Sequence, residues 1–311
     1  MTPVSPSGGN HASTVQSGCH PPISAPDRVS ARRLVHATVP VVENQFLAPR
    51  TYRLRLECPE LAAAIEPGQF LMLRFPDRLE PLLGRAFALL DVVRDSDERP
   101  WAVDIGYFVV GKTTRLLERL RPGDLLTIWG PLGQPFPSYH GVRELVLIAG
   151  GIGQTPFVAL VRRVLGLSSY GSRPAGQECE RVRLVYGTRS ADLLTGVEEF
   201  ARLGVLVHIC TEDGTAGRRG RVTDVLFDLG KPSTGVQWVA CGPHAMLQAV
   251  AELARQWQVP CQVTLETPMA CGTGICYSCV TRVRFAEGWD YRRVCVDGPL
   301  FDAAQLVWEE N

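Results

Sequence analysis

Four cysteines, Cys271, Cys276, Cys279 and Cys295, fall within the last fifty residues of a 311-residue chain. Three of them stand in the run Met269-Ala270-Cys271-Gly272-Thr273-Gly274-Ile275-Cys276-Tyr277-Ser278-Cys279, and the fourth follows after fifteen intervening residues. C-x4-C-x2-C with a distant fourth cysteine is the plant-type spacing of a [2Fe–2S] cluster. Four thiolates must converge on two irons while backbone N–H groups of a tight loop face the sulfides. Gly272 and Gly274 suit that loop, because glycine accepts a positive φ without steric penalty. A structural zinc site is the alternative, but it commonly uses two short C-x2-4-C clips, and here only Cys276 and Cys279 form one. About fifty residues run from Cys261 to Asn311, fewer than a complete ferredoxin-like β-grasp domain needs. The cysteines therefore belong to a short C-terminal excursion docked on the preceding chain.

The remaining length allows two ordinary domains. Charge is balanced, with 32 basic and 32 acidic residues, so nothing points to nucleic acid or an anionic membrane surface. The other six cysteines, Cys19, Cys58, Cys179, Cys210, Cys241 and Cys261, share no motif and read mostly as small buried hydrophobes. Their low density is not that of a secreted disulfide scaffold, and thiols available as ligands imply a reducing, cytoplasmic setting. Residues 1–28 are rich in Ser, Pro and Gly and are expected to be a disordered tail without a secretory h-region. The longest apolar-rich uncharged stretch, Leu145 to Val161, contains three glycines, Gln154 and Pro156, and is short for a bilayer span.

Residues 29–140 read as strands. Tyr52, Leu54 and Leu56 alternate with Arg53, Arg55 and Glu57, and Val103, Ile105, Tyr107 and Val109 alternate similarly. Gln69 to Phe75 and Leu125 to Trp129 add candidates, with one short helix near Thr114 to Leu120. Turn signals such as Pro122-Gly123-Asp124 separate them, which predicts a small antiparallel β-barrel. The pattern changes over residues 141–260. Apolar strands at Leu145–Ala149, Val182–Tyr186, Leu206–Cys210 and Trp238–Ala240, continued by Gln262–Leu265, alternate with helices at Pro156–Leu165, Val197–Leu203, Val222–Leu229 and Ala245–Trp257. That order predicts a parallel sheet covered by helices on both faces. Residues 166–180 read as a long polar loop. Residues 261–311 form the cysteine-bearing region.

Several strand ends carry candidate ligand groups. Gly150-Gly151-Ile152-Gly153-Gln154-Thr155-Pro156 joins a strand to a helix, where glycines admit a pyrophosphate and the helix start offers free N–H groups. It lacks the third glycine of the full dinucleotide fingerprint, and a plain packing turn is the competing reading. Cys241-Gly242-Pro243 stands at a second strand end, with Gly187–Ser190 and Thr211–Gly214 at two more. Ligands of open parallel sheets bind beyond such carboxyl ends, so a nucleotide site is the better reading of the set. In the barrel, Gly84-Arg85-Ala86-Phe87-Ala88 offers an arginine for a pyrophosphate, and Thr113 and Thr114 offer hydroxyls at a helix start. Arg85 as a solvated charge and Thr113 as a helix cap remain equally open on local sequence.

A barrel with R-x-F-x, then GGIGQTP, then CGP resembles the ferredoxin–NADP reductase superfamily. Leu265-Glu266-Thr267-Pro268-Met269-Ala270-Cys271 through Cys295-Val296-Asp297-Gly298-Pro299 is similar to electron-transfer subunits of two-component dihydroorotate dehydrogenases, across roughly residues 30–308. This resemblance implies an FAD-binding β-barrel, a nucleotide-binding α/β domain and a short C-terminal [2Fe–2S] loop region. It implies that Arg85, Ala86, Phe87 and Ala88 line the flavin, with Arg85 on the pyrophosphate, and that Gly106, Tyr107, Phe108, Thr113 and Thr114 hold the rest. It makes Cys271, Cys276, Cys279 and Cys295 the cluster ligands and puts NAD on the α/β domain. The partner it implies is an FMN-containing dihydroorotate dehydrogenase catalytic subunit in a hetero-oligomer. Orotate chemistry then needs no catalytic residue in this chain. The sequence departs from the family where Ala88 replaces Ser or Thr, where Gly106-Tyr107-Phe108 replaces Leu-Tyr-Arg, and where Thr113-Thr114 replaces Gly-Thr.

Two other functions fit parts of the pattern. The same cofactors serve flavoprotein subunits of ferredoxin-dependent NADP oxidoreductases and sulfide dehydrogenases. A non-enzymatic redox sensor or zinc-stabilised assembly subunit would use the cysteines alone. Between NAD and NADP, Arg189 could meet a 2′-phosphate, whereas Glu212 or Asp213 would repel one.

Overall fold

Alternation of apolar and polar residues from Val35 onward builds a closed barrel in the computed structural model, which describes residues 34–308. The expected disordered tail, residues 1–28, lies outside them. The barrel strands are β1 (Val35–Ala48), β2 (Thr51–Glu57), β3 (Phe70–Arg74), β4 (Arg85–Arg94), β5 (Pro100–Phe108) and β6 (Leu125–Leu132). They close in the order β1-β2-β5-β4-β3-β6, with every pairing antiparallel. Leu54, Leu56, Leu71, Leu73, Val103, Ile105, Leu126 and Ile128 are fully buried, two residues apart on each strand, because alternate side chains share a face. Two short helices accompany the barrel. Pro59–Ala64 (α1) follows β2, and Lys112–Leu117 (α2) occupies most of the predicted helix, starting two residues earlier.

After β6 the period changes from two to a helical one, and a seven-stranded sheet forms. Its strands are β7 (Val142–Gly150), β8 (Cys179–Thr188), β9 (Leu206–Thr211), β10 (Arg218–Arg219), β11 (Val236–Cys241), β12 (Cys261–Thr264) and β15 (Leu300–Asp302). Their order is β10-β9-β8-β7-β11-β12-β15, parallel except for the antiparallel edge strand β15. On β7, Val146 and Ile148 pack with α5 (Val222–Leu229) and α6 (His244–Trp257). Leu145, Leu147 and Ala149 pack on the other face with α3 (Phe157–Val164) and α4 (Val197–Arg202). Burial on both faces is why β7 reads as a continuous apolar run.

Residues 265–299 leave β12 and return to β15. They carry the cysteine loop and a hairpin of β13 (Val280–Phe285) and β14 (Gly288–Arg293). Cys279, Val283, Val294 and Cys295 share one apolar cluster with Phe70 and Met72 of β3, Leu132 of β6 and Val263 of β12. The excursion is thus packed against both the barrel and the sheet.

Candidate cofactor cavity and cysteine loop

A cavity of about 490 Å³ opens where three parts of the chain meet. Barrel residues Arg85–Ala88, Gly106–Phe108 and Lys112–Thr114 form one wall. Ile152, Thr155, Pro156 and Cys241 form the second, and Thr264–Met269 the third. This volume falls within the ordinary range for small-molecule and cofactor sites.

The barrel wall is held by local packing. Tyr107 is buried, donates from its hydroxyl to Asn44 Oδ1 at 2.9 Å, and stacks on Tyr52 at 5.4 Å with a 14° interplanar angle. Phe87 meets Tyr107 edge-on at 6.3 Å, which fixes an aromatic face toward the cavity. Asn44 also donates to the carbonyl of Leu117 at 2.9 Å and so ties α2 to the same strand pair. Thr114 Oγ1 accepts the N–H groups of Val110 and Gly111 at 2.9 and 3.1 Å and serves the turn entering α2. Thr113 differs from its neighbour. Its Oγ1 is buried beside the cavity with no hydrogen-bond partner. Buried hydroxyls are nearly always satisfied, so this atom fits a ligand oxygen, as does the equally unpartnered Thr267 Oγ1. Arg85 Nη1 donates to the carbonyls of Leu83 and Gly84, and no ion pair with a carboxylate engages it among the described residues.

Gly106 accounts for the departure from Leu. A Cβ there would lie 2.7 Å from Thr155 Oγ1, so glycine lets the nucleotide turn seat against the barrel. Thr155 Oγ1 in turn donates to the Ile152 carbonyl at 2.7 Å. The other glycines of that turn are placed differently. A Cβ on Gly153 would sit 2.3 Å from the Cys241 carbonyl oxygen, and one on Gly150 would sit 2.8 Å from Pro243 Cδ. Gly242, at φ +156°, closes against the Gly150 backbone. Gly150, Gly153, Gly242 and Pro243 thus lock two strand-end turns together, and only Gly151, at φ +56°, faces open space. Of the expected nucleotide residues, Thr155 and Cys241 reach the cavity lining.

Glu266 is solvent-exposed where its side chain opens into the cavity. Burial raises its carboxyl above the ordinary range. Burial, then the neighbouring Glu266, pushes the Cys241 thiol up to about 12. No local motif marks Glu266 or Thr267, since each is a lone residue after a strand. The one available signal is their place in the run that leads into Cys271.

That run leads directly to the cysteine loop. Trp129 Nε1 on β6 donates to the Cys271 carbonyl at 2.9 Å. Gly272 (φ +73°) presses against Met72 and Leu132, and Gly274 (φ +86°) against Val296, where a Cβ would come within 2.7 and 2.6 Å of side-chain atoms. Thr273 N–H points at Cys271 Sγ at 3.3 Å, as a loop built around sulfur requires. Cys279 and Cys295 are buried, while Cys276 is exposed beside the solvent-facing Ile275 and Tyr277. Cys276 Sγ lies 3.2 Å from Ser278 Oγ in the same loop. Among the described residues, no three His, Cys, Asp or Glu side chains close on a single ion. Four thiols at this spacing on one loop and its hairpin fit the donor set of a binuclear cluster.

Comparison with known proteins agrees with this geometry. The family model described as the iron-sulfur cluster binding domain of dihydroorotate dehydrogenase B matches residues 266–307, and the oxidoreductase NAD-binding domain matches residues 147–252. The dihydroorotate dehydrogenase B (NAD(+)) electron transfer subunit of Geobacillus thermodenitrificans is 37% identical over 270 residues, covering 86% of this chain and 96% of that one. The chain belongs to this family of electron-transfer subunits. Its homolog from Aquifex aeolicus is 33% identical over 277 residues, 88% of this chain and 99% of that one. Among solved structures, an NADH-dependent reduced ferredoxin-NADP oxidoreductase superposes with a TM-score of 0.73 at 26% identity, covering 88% of this chain and 90% of that one. An Amycolatopsis cytochrome P450 reductase superposes with a TM-score of 0.61 at 27% identity, covering 73% and 67%. No helix among the described residues is long and apolar enough to cross a membrane.

Proposed function

We propose that this chain is the electron-transfer subunit of a two-component dihydroorotate dehydrogenase, an oxidoreductase linking a partner's FMN to NAD through a [2Fe–2S] cluster and FAD. One observation carries the reading. Met269 lines the cofactor cavity and Cys271 stands two residues further on, a span of at most about 7 Å of chain. Flavin and cluster would therefore occupy adjoining seats on one continuous segment. When bound, they supply the exchange between two-electron and one-electron carriers, and the protein supplies binding and orientation.

Each wall has a separate task. Arg85 and Thr113 would hold the FAD pyrophosphate, while Phe87 and Tyr107 present the aromatic face for its ring system. Cys271, Cys276, Cys279 and Cys295 would hold the cluster. NAD would dock beyond the carboxyl ends of β7, β8, β9 and β11, reaching the flavin past Thr155 and Cys241. Exposed Ile275, at 82%, and Tyr277, at 62%, surround Cys276 and give a catalytic subunit an apolar seat at the cluster. No disulfide joins the nine described cysteines, which is compatible with a cytoplasmic setting.

Co-expression with an FMN-dependent dihydroorotate dehydrogenase catalytic subunit tests the reading. The expected result is a stable complex, flavin and iron–sulfur absorption, and dihydroorotate-dependent NAD reduction. Zinc in place of iron, or no flavin, would sink it. The likeness to the NADH-dependent reduced ferredoxin-NADP oxidoreductase favours a second reading, a subunit that serves ferredoxin and NADP. Electron exchange with ferredoxin, and none with dihydroorotate in the complex, would select that one.

A further inference from the structure

The connection from α3 to β8, polar and loop-like in sequence, crosses to the barrel and grips it. Tyr170 is 2% exposed, and its hydroxyl donates to Asp91 Oδ1 on β4 at 2.6 Å. Arg162 on α3 places Nε 3.1 Å from Asp91 Oδ2 and Nη2 2.8 Å from Glu199 Oε1 on α4. The Val92 N–H is the second hydrogen-bond donor to the Asp91 carboxylate, at 2.9 Å, beside the Tyr170 hydroxyl. Around this centre, Arg94 donates to the Ser169 carbonyl and Arg173 pairs with Glu66 at 2.8 Å.

The placement of Asp91 and Arg162 gives the network its meaning. Asp91 lies three residues beyond Ala88 on β4, and Arg162 six residues beyond Pro156 on α3. Ala88 and Pro156 both line the cofactor cavity, on opposite walls. The ion pair therefore stands about 10 Å from the cavity along the strand and about 9 Å along the helix. It is a rung joining the two elements whose near ends face each other across the site. A buried ion pair adds little net stability over an apolar pair of similar shape, so its main effect is directional. One carboxylate fixed by the Tyr170 hydroxyl and the Val92 N–H, and paired with the Arg162 guanidinium, permits one separation of β4 from α3.

We infer that Asp91, Arg162 and Tyr170 are positioning residues for hydride transfer, setting the gap between the flavin-facing strand and the nicotinamide-facing start of α3. This rests on the flavin–nicotinamide reading of the cavity. Misplacing reacting groups by about 1 Å can cost roughly a hundredfold in rate, so a small relaxation of the rung is readable kinetically.

The test uses the full chain loaded with FAD and cluster, as wild type, Asp91→Asn and Tyr170→Phe. Reduction of the flavin by NADH is followed by stopped flow, with dithionite as a reductant that needs no docking. Expected is a limiting NADH rate lowered on the order of tenfold in Asp91→Asn and less in Tyr170→Phe. The half-saturating NADH concentration, FAD content and dithionite rate should stay as in wild type. Wild-type NADH rates in both variants overturn the inference. So does a loss matched by FAD release or slower dithionite reduction, which marks a purely structural role. Amide exchange in the same loaded samples gives a readout independent of NADH. Protection should fall over residues 86–91 and 157–163 together in Asp91→Asn, and unchanged exchange overturns the coupling. If the wild type accepts no electrons from NADH or NADPH, the cofactor reading fails, and exchange alone decides whether the rung sets the gap.

Discussion

Trp129 in the barrel holds Cys271 in the cysteine loop through a 2.9 Å hydrogen bond from indole Nε1 to the backbone carbonyl. The bond spans 142 residues of sequence and anchors the loop to the strand pair beneath the cavity. The same indole fills the space over Gly84, where a Cβ would come within 2.4 Å of its ring. Replacing Trp129 by Phe keeps an aromatic ring and removes the donor. The expected loss is about 1 kcal/mol in the stability of the loop, read as faster bleaching of cluster absorption by a chelator, with FAD content unchanged. Bleaching at the wild-type rate would show that the bond does not anchor the loop.

Gly106 and Thr155 form a second long-range contact that is open to a mutant cycle. Gly106→Ala should destabilise the protein by about 1–3 kcal/mol, because the new methyl overlaps Thr155 Oγ1 and Cγ2. Thr155→Ala removes both atoms, so in the double variant most of that loss should return. Denaturant unfolding of the four proteins gives the coupling energy directly. Additive effects would mean that the two walls do not meet as described.

Thr113→Val separates ligand binding from folding. The substitution keeps the shape and deletes a buried hydroxyl that has no protein partner. FAD affinity should fall by roughly 1 kcal/mol, about fivefold, while the apoprotein is unchanged or slightly more stable. Flavin titration by fluorescence quenching, paired with thermal melts of the apoprotein, checks both halves. A destabilised apoprotein with wild-type affinity would assign Thr113 to the fold instead.

Glu266 gives a pH dependence with a defined sign. Burial raises its carboxyl above the unfolded value, so its contribution to stability is full below the ordinary Glu range near pH 4.3 and lost as pH rises through the folded value. Glu266→Gln removes that loss. The variant apoprotein should melt higher than wild type at pH 7–8, and the difference should shrink toward pH 4. Melting curves that run parallel from pH 4 to pH 8 would contradict a raised carboxyl at this site.

Most of the architecture was legible because its causes are local. The alternation in β2 and β5, the apolar run of β7 and the apolar stretches of α5 and α6 are short-range consequences of which face is buried. The Arg85–Ala88 segment was readable for the same reason, since all its members lie on one strand. The glycine turn was harder. A glycine that admits a ligand and one that admits another backbone look alike in sequence, and only the contacts of Gly150 and Gly153 with the Cys241–Pro243 turn separate the two roles. Residues 166–180 read as loose polar chain, although β8 takes the last two, because the partners that order the rest, Asp91 and Glu66, are about eighty or more residues away.

The sequence by itself determined the identity of the elements and the chemistry of the cysteine loop. Both depend on spacings of a few residues, and backbone geometry converts those spacings into position. Tertiary structure alone decided that the barrel, the nucleotide turn and the Glu266–Met269 run share one cavity. It also decided that Cys279 and Cys295 are buried while Cys276 is exposed. These outcomes depend on contacts such as Trp129 with Cys271 and Gly106 with Thr155, whose members carry no local pattern. Such pairs stabilise only the folded chain, in which loop closure has already brought distant residues together.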